Sequence, residues 1–325
     1  MTRFTTSLAA LAAAAALTLT GCGTADRLVH LQDAPTEQTS GAPLREEAAV
    51  RIATRVLAEA AAAEDDDERE AVIYGPAMRV TDARVQADVA AGTSLDVVVP
   101  ETPTVLAVSD GAEWPRAILA SDFDEETQIQ SVHILISTGP EAPFRLYATA
   151  PMFPGTSVPS LGDFADGADF ERAEEDEPID ASEILADYAE ALAFPDPDEV
   201  DSVKTDDQFA ESVKKNAQAL DDDLDDLADL TQTNEPIADS VITFRTADGG
   251  HLIFGQMVRK DTITLTDQAK ELTIDDEVLQ ELSGKEKVTE KFQTETLNNL
   301  LFIQPAEGAV TLVGAEEIVL RASGE

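Results

Sequence analysis

The sequence predicts an α+β protein made of two halves, each with helices first and a curved antiparallel sheet afterwards. Apolar residues recur at helical spacing near the start of each half. After Ser94, and again after Ile237, the apolar period changes to two, which is typical of half-buried strands. An acidic segment rich in proline and glycine, 152–180, separates the halves. Helices followed by runs of strands indicate an α+β fold.

Residues 44–151 are predicted to form the first domain. Ala49, Ile52 and Val56 lie on one face of a helix over 43–63. The acidic run 64–68 is interpreted as a solvated break, and a second helix over 77–90 follows Pro76. The predicted strands are 95–99, 104–109, 117–123, 130–137 and 144–150.

Residues 181–325 are predicted to form the second domain, with 152–180 as a linker. Its expected helical segments are 181–194, a broken acidic region over 206–230, and 275–282, while 295–303 is expected to turn from helix into strand. Its expected strands are 237–246, 251–259, 262–265 and 309–322. Asp248-Gly249-Gly250 predicts a hairpin turn, because glycine tolerates positive φ. The similar order of elements leaves open whether the halves are duplicated or merely alike in pattern.

Cys22 is the only cysteine. It is therefore an inert core residue, a reactive group, half of an intermolecular bridge, or an attachment point. Arg3 and the uncharged run 8–19 have the pattern of a secretory signal, and the run is shorter than the roughly 20 residues that span a bilayer. Residues 19–22, Leu-Thr-Gly-Cys, resemble the bacterial lipobox.

That resemblance implies a signal peptide over 1–21, cleavage between Gly21 and Cys22, and acylation of Cys22. Each buried CH₂ contributes about 0.8 kcal/mol, so two or three acyl chains are expected to hold the protein on the outer face of the cell membrane. Residues 22–43 are rich in small and polar residues and are predicted to be a flexible tether. The alternative is an ordinary cleavable signal with an accidental cysteine.

The charge balance limits the partners that the protein can have. Acidic residues number 65 against 22 lysines and arginines, which gives a formal net charge of -43. Such a field repels phosphates, so a nucleic-acid partner is excluded. The expected partners are the lipid bilayer, through acylated Cys22, and an envelope protein or small ligand. A chain of this length is sufficient for two cores, and no disulfide is expected.

No motif indicates a catalytic, metal or cofactor site. His133 is expected to be a satisfied strand histidine, and His251 an exposed or cross-strand polar residue. Ser212 and Lys215 match Ser-x-x-Lys, but the companion motifs of penicillin-recognising enzymes are missing. The acidic stretch 195–201 lacks the third ligand and the glycine of an EF-hand loop, which favours diffuse cation condensation over a defined Ca²⁺ site.

The predicted arrangement of helices in the concave side of a sheet resembles cystatin-like and NTF2-like folds. The lipobox, Tyr74-Gly75-Pro76-Ala77, Trp114-Pro115-Arg116 and the segment 245–250 together resemble a family of actinobacterial surface lipoproteins with a domain of unknown function. That resemblance covers most of 45–323 and implies extracytoplasmic anchoring and a noncatalytic body.

Two functions therefore stay open. The first is a noncatalytic binding or assembly module of the cell envelope. The second is an envelope hydrolase acting on cell-wall or lipid substrates through acidic residues that the sequence does not identify. Tyr74, Trp114 and Tyr147 are the candidate ligand-binding residues, with membership of the core as the alternative. An apolar pocket with convergent acids would favour the enzyme.

Overall fold

The computed structural model describes residues 41–91 and 103–325, apart from 112, 126 and 175. Gly21, Cys22, most of the predicted tether and the predicted strand 95–99 lie outside the described residues. Residues 40–325 form one compact unit. Its described part is a mixed α+β structure, and its antiparallel sheets do not close into a barrel. The α+β prediction is confirmed at that level.

Three helices precede the first sheet. They are α1 (Glu46–Ala62), α2 (Asp66–Val72) and α3 (Pro76–Ala91). The sheet contains β1 (Thr104–Val108), β2 (Arg116–Asp124), β3 (Ile129–Ser137) and β4 (Arg145–Pro151). Each strand pairs antiparallel with the next, in the order β1-β2-β3-β4. These strands lie within two residues of their predicted positions.

The second sheet is longer and has five strands. Its elements in chain order are β5 (Phe170–Arg172), α4 (Ala181–Glu190), α5 (Gln208–Leu224), a 3₁₀ turn (Asp225–Leu227), β6 (Ala228–Arg245), β7 (His251–Leu265), β8 (Leu272–Thr273), α6 (Glu277–Ser283), β9 (Lys287–Val288), β10 (Lys291–Gln304) and β11 (Thr311–Gly324). The strand order is β11-β10-β7-β6-β5, with β8 and β9 forming a separate ribbon. The predicted hairpin is confirmed, because Arg245 pairs with His251 across the turn.

The core consists of layers, because both faces of each sheet carry apolar residues. Ile118 and Leu135 of the first sheet pack against α1. The opposite face of that sheet packs against the second sheet, in one cluster that includes Ile134 and Phe254. The other face of the second sheet packs against α4 and α5. The two predicted halves therefore share a core through their sheets.

Two local predictions are wrong, and a third is incomplete. The exposed residues Glu64 and Asp65 do separate α1 from α2, but the rest of the acidic run begins α2, because the Asp65 carboxylate accepts a hydrogen bond from the Glu68 amide at 2.9 Å and the acids that follow favour a helix N-terminus. Residues 295–303 are strand throughout. The strand expected from 237 begins at Ala228, where buried residues alternate with exposed ones directly after the acidic helix.

The segment predicted as a linker, 152–180, contributes structure to the second half. Its strand β5 pairs with β6, and Met152, Ala168 and Ala173 are buried. Backbone hydrogen bonds from Phe153, Ala168 and Ala173 also join the segment to β11, β1 and β6, so it is ordered although its composition is that of a linker. The boundaries of two sequence domains stay a prediction.

Candidate functional site

The candidate functional site is a pocket of about 420 Å³ on the outer face of the first sheet. Pockets for small molecules range from roughly 300 to 1,000 Å³. The helices α1, α2 and α3 form its walls, and one end of β2, β3 and β4 forms its floor. Its lining includes Leu57, Ala61, Arg69, Arg84, Asp122, Asp124, His133, Thr149 and Glu316.

The pocket exists because the last turns of α1 carry small side chains. Earlier in this helix, Ala49, Ala53 and Val56 are fully buried against the sheet. Beyond Leu57 the helix presents Ala60 and Ala61, which are too short to fill the space above the sheet. Ile73, directly after α2, and residues of α3 such as Val80 complete the apolar part of the walls. The walls are thus largely apolar.

His133 lies at the centre of the polar floor. It belongs to β3, directly opposite Thr149 of β4, and Asp122 lies on the neighbouring strand β2. Its Nε2 atom is 2.8 Å from the Asp122 carboxylate, and its Nδ1 atom is 3.0 Å from the Thr149 hydroxyl. A neutral ring that donates from Nε2 to the carboxylate accepts the Thr149 proton at Nδ1. The prediction of a hydrogen-bonded strand histidine is confirmed, and the structure adds that it faces a pocket.

Glu316 of β11 connects the pocket to a buried polar network. Its carboxylate accepts hydrogen bonds from Arg84 of α3 and, at 3.1 Å, from the Asn299 amide. The Asn299 side-chain oxygen in turn accepts from Gln256 at 2.6 Å, and Arg79 donates to Gln256 at 3.1 Å. Because these residues come from α3 and the second sheet, the polar wall of the pocket is held by both halves of the chain.

Arg69 lies at the helical side of the pocket with one unsatisfied atom. Its guanidinium donates to the Glu64 carbonyl at 2.7 Å and pairs with Asp66. Its Nε atom is buried without a hydrogen-bond partner. Such a donor retains the capacity to bond a polar group that enters the pocket.

The three aromatic residues predicted as ligand contacts do not line this pocket. Tyr74 and Tyr147 contact each other edge to face, with ring centroids 5.0 Å apart. Tyr147 is buried, and its hydroxyl donates to the Asp239 carbonyl at 2.9 Å. Burial raises the pKa of Tyr74 to about 12. Trp114 lies in the loop before β2, where the Arg116 guanidinium is 4.3 Å from its ring centroid.

Other candidates from the sequence lie in ordinary surroundings. His251 is half-buried beside the hairpin, next to Asp169, Glu171 and Arg245. The Ser212 hydroxyl accepts from Asn216 at 3.5 Å, one turn along α5. Within the described residues, no group of three or more His, Cys, Asp or Glu side chains is arranged to hold a metal ion.

The sequence contains a signal for the pocket floor, in the spacing of its polar strand residues. Asp122, Ser131 and His133 lie in two consecutive predicted strands, Ser131 and His133 two positions apart, and Asp124 directly follows the first of these strands, two positions after Asp122. Alternation places such polar residues on one face of a sheet. The contribution of Glu316 had no local signal, because it depends on the packing of the two sheets.

Comparisons with known proteins identify no relative: no protein-family model, no curated protein and no solved structure matches the chain. Within the part of the chain that the structure describes, each helix is too short or too polar to cross a bilayer.

Proposed function

We propose that the protein is a membrane-anchored extracytoplasmic lipoprotein that acts as a noncatalytic binding module of the cell envelope. One observation carries the proposal: a pocket of about 420 Å³ combines apolar walls with a hydrogen-bonding floor. Pockets with a few convergent polar groups among apolar ones are typical of small-molecule sites. The occupant is a small envelope component.

The anchor is the acylated Cys22. It is supported by the secretory pattern of residues 1–21 and by the small residues Thr20 and Gly21 before the cysteine. Mass spectrometry of the N-terminal peptide from cell-associated protein tests it, and we expect Cys22 at the N-terminus with a diacylglyceryl modification. A free Cys22 thiol in the mature protein would contradict the anchor.

We propose also that the helix-covered sheets are cystatin-like or NTF2-like in character. The support is the cover that α1 gives to one face of the first antiparallel sheet. Membership of the actinobacterial surface lipoproteins is proposed on the motifs around Tyr74, Trp114 and Asp248. A solved structure of one such lipoprotein with the same strand order would support this relationship, and a different strand order would refute it.

Binding is tested with protein extracted from its own membrane. Native mass spectrometry of the full chain is expected to detect a bound small molecule. Ala61→Trp fills the pocket and is expected to remove that molecule. Ala62→Trp changes the next residue of α1, which is exposed and does not line the pocket. The proposal fails if no ligand is found, or if both variants retain it equally.

A second candidate function, an envelope hydrolase, is favoured by two observations. Acidic side chains converge on the apolar pocket, which is the arrangement expected of the enzyme, and Asp122, His133 and Thr149 form a hydrogen-bonded series. A carboxylate, an imidazole and a hydroxyl in hydrogen-bond contact are the parts from which nucleophilic hydrolases are built. The test is turnover of a panel of ester and cell-wall substrates by the full chain. If the hydrolase is the function, His133→Gln abolishes turnover. If the wild-type chain turns over none of the substrates, the binding module stands.

A further inference from the structure

The carboxylates of the pocket determine the sign of the charge that it accepts. Asp122, Asp124 and Glu316 line it, against the two cations Arg69 and Arg84. Arg84 is already paired with Glu316, and Arg69 is paired with Asp66, which lies outside the lining. The chain as a whole carries a formal charge of -43. A cleft in such a field concentrates cations and repels anions.

Two of the pocket carboxylates, Asp122 and Glu316, have lone-pair sites beyond those used by the contacts described above. A carboxylate has two oxygens and about four lone-pair sites. The contacts described above use one site of Asp122, for His133, and two of Glu316, for Arg84 and Asn299. An ammonium group with three N–H donors therefore finds acceptors on the floor, at Asp122, and on the polar wall, at Glu316, without displacing the internal contacts.

The lining composition distinguishes between classes of cation. Quaternary ammonium groups have no N–H donor and are recognised by cages of aromatic rings. Among the lining residues that the structure describes, none is Phe, Tyr or Trp. The walls consist instead of aliphatic side chains such as Leu57 and Val80, which suit an alkyl body.

From these observations we propose that the pocket binds a primary alkylammonium ligand, with the ammonium group at Asp122 and Glu316 and the apolar body along α1. This inference rests on the proposed binding function and names the chemical class of its ligand. An amphiphile with an anionic head would engage the free Nε atom of Arg69, but it would also meet three carboxylates.

The experiment is isothermal titration of the full chain in nanodiscs of zwitterionic lipid, with empty nanodiscs as the blank. Four probes share one alkyl chain: n-hexylammonium, hexyltrimethylammonium, hexanol and hexanoate. We expect hexylammonium to bind at least about tenfold more tightly than each of the others, because hydrogen bonds to charged groups contribute about 1.5–3 kcal/mol. Tighter binding of hexanoate or hexyltrimethylammonium would overturn the inference.

Variants locate the ammonium group. Asp122→Asn and Glu316→Gln are each expected to lower the affinity for hexylammonium about tenfold, since each replaces a charge-assisted hydrogen bond by a neutral one. The affinity for hexanol is expected to stay unchanged. Asp223→Asn makes the same change of net charge at an exposed position of α5, and it is expected to have no effect. Unchanged hexanol binding shows that a variant is folded. Equal effects of Asp122→Asn and Asp223→Asn would refute the site.

The two proposals fail in different ways. If hexylammonium does not bind while the cell-derived protein carries a molecule that Ala61→Trp removes, the amine class is wrong and the binding function survives. If no probe binds and no cell-derived ligand is found, both proposals fail.

Discussion

The outer faces of the two sheets are both covered by helices, but the two covers fit differently: within the described residues, the first leaves a pocket of about 420 Å³, whereas the second leaves about 210 Å³ beside α5. Over the second sheet, Tyr188 of α4 contacts Phe302 edge to face at 5.1 Å and stacks with Phe209 of α5 at 6.5 Å. Over the first sheet, the end of α1 offers alanines above polar strand residues. The size of the helical side chains thus determines how much space remains between a helix layer and the sheet that it covers.

The largest expected effect on stability is in the helix layer over the second sheet, formed by α4 and α5, which is the closed layer of the two. The ring of Phe302, on β10, is fully buried beneath the helices. Phe302→Ala removes this ring and leaves a cavity, because surrounding core residues relax only partly. We expect the free energy of unfolding to fall by about 3–5 kcal/mol, measured by urea denaturation of the full chain. The control is Leu220→Ala, at a partly exposed position of α5, which is expected to lower the free energy of unfolding by much less. Similar losses in both variants would show that the layer is loosely packed.

The polar network between the layers gives the next effect. Gln256→Leu leaves the Asn299 oxygen, the Arg79 guanidinium and the Pro76 carbonyl each without one hydrogen bond. Because buried polar groups are left unsatisfied, we expect the free energy of unfolding to fall by about 1–3 kcal/mol. The same urea denaturation experiment measures this change. Because Asn299 also donates a hydrogen bond to Glu316, we expect this variant to bind hexylammonium less tightly as well. A stable Gln256→Leu protein with full affinity would separate the network from the pocket.

Adding side-chain volume distinguishes the two layers directly. A Cβ atom at Gly255 would lie 3.0 Å from Leu185 Cδ2, so Gly255→Ala is expected to lower the free energy of unfolding by about 1 kcal/mol. Ala61→Leu adds more atoms, but into the open pocket, and it is expected to change that free energy by less than about 0.5 kcal/mol. The thermal midpoint of each variant provides an independent check. A larger loss for Ala61→Leu would mean that the pocket is closed in solution.

The smallest effect is pH-dependent and concerns a carboxylate in the closed layer. Asp207 caps α5 and accepts a hydrogen bond from the Tyr188 hydroxyl at 3.0 Å, while its burial raises the pKa of its carboxyl group. The folded state therefore favours the protonated form. The stability that this proton contributes is present below the ordinary pKa of aspartate and is lost as the pH rises through the raised value.

Asp207→Asn retains a capping side chain and cannot ionise. We expect the stability of the wild type relative to this variant to decrease as the pH rises through that window. The measurement is urea denaturation of both proteins across the acidic range. A constant difference would show that Asp207 ionises equally in the folded and unfolded states.

The sequence predicted local features better than the contacts between layers. The hairpin at Asp248 and the strands of the first sheet follow from turn chemistry and a period of two. The helix that begins after Asp65 was missed, because an acidic run favours both solvation and a helix N-terminus. The pocket itself combines α1 with Glu316 from far along the chain, and no local pattern encodes a contact of that range.

The place of Glu316 in the chain determines when the site is complete. The other lining residues lie between 57 and 151, whereas Glu316 follows the whole of β6, β7 and β10. Since a chain is synthesised from its N-terminus, α1 to β4 emerge long before the last wall of the pocket. The wall that carries Glu316 therefore forms only when β11 docks on the earlier part of the chain, so the proposed ligand is expected to meet a complete pocket only when folding is almost finished.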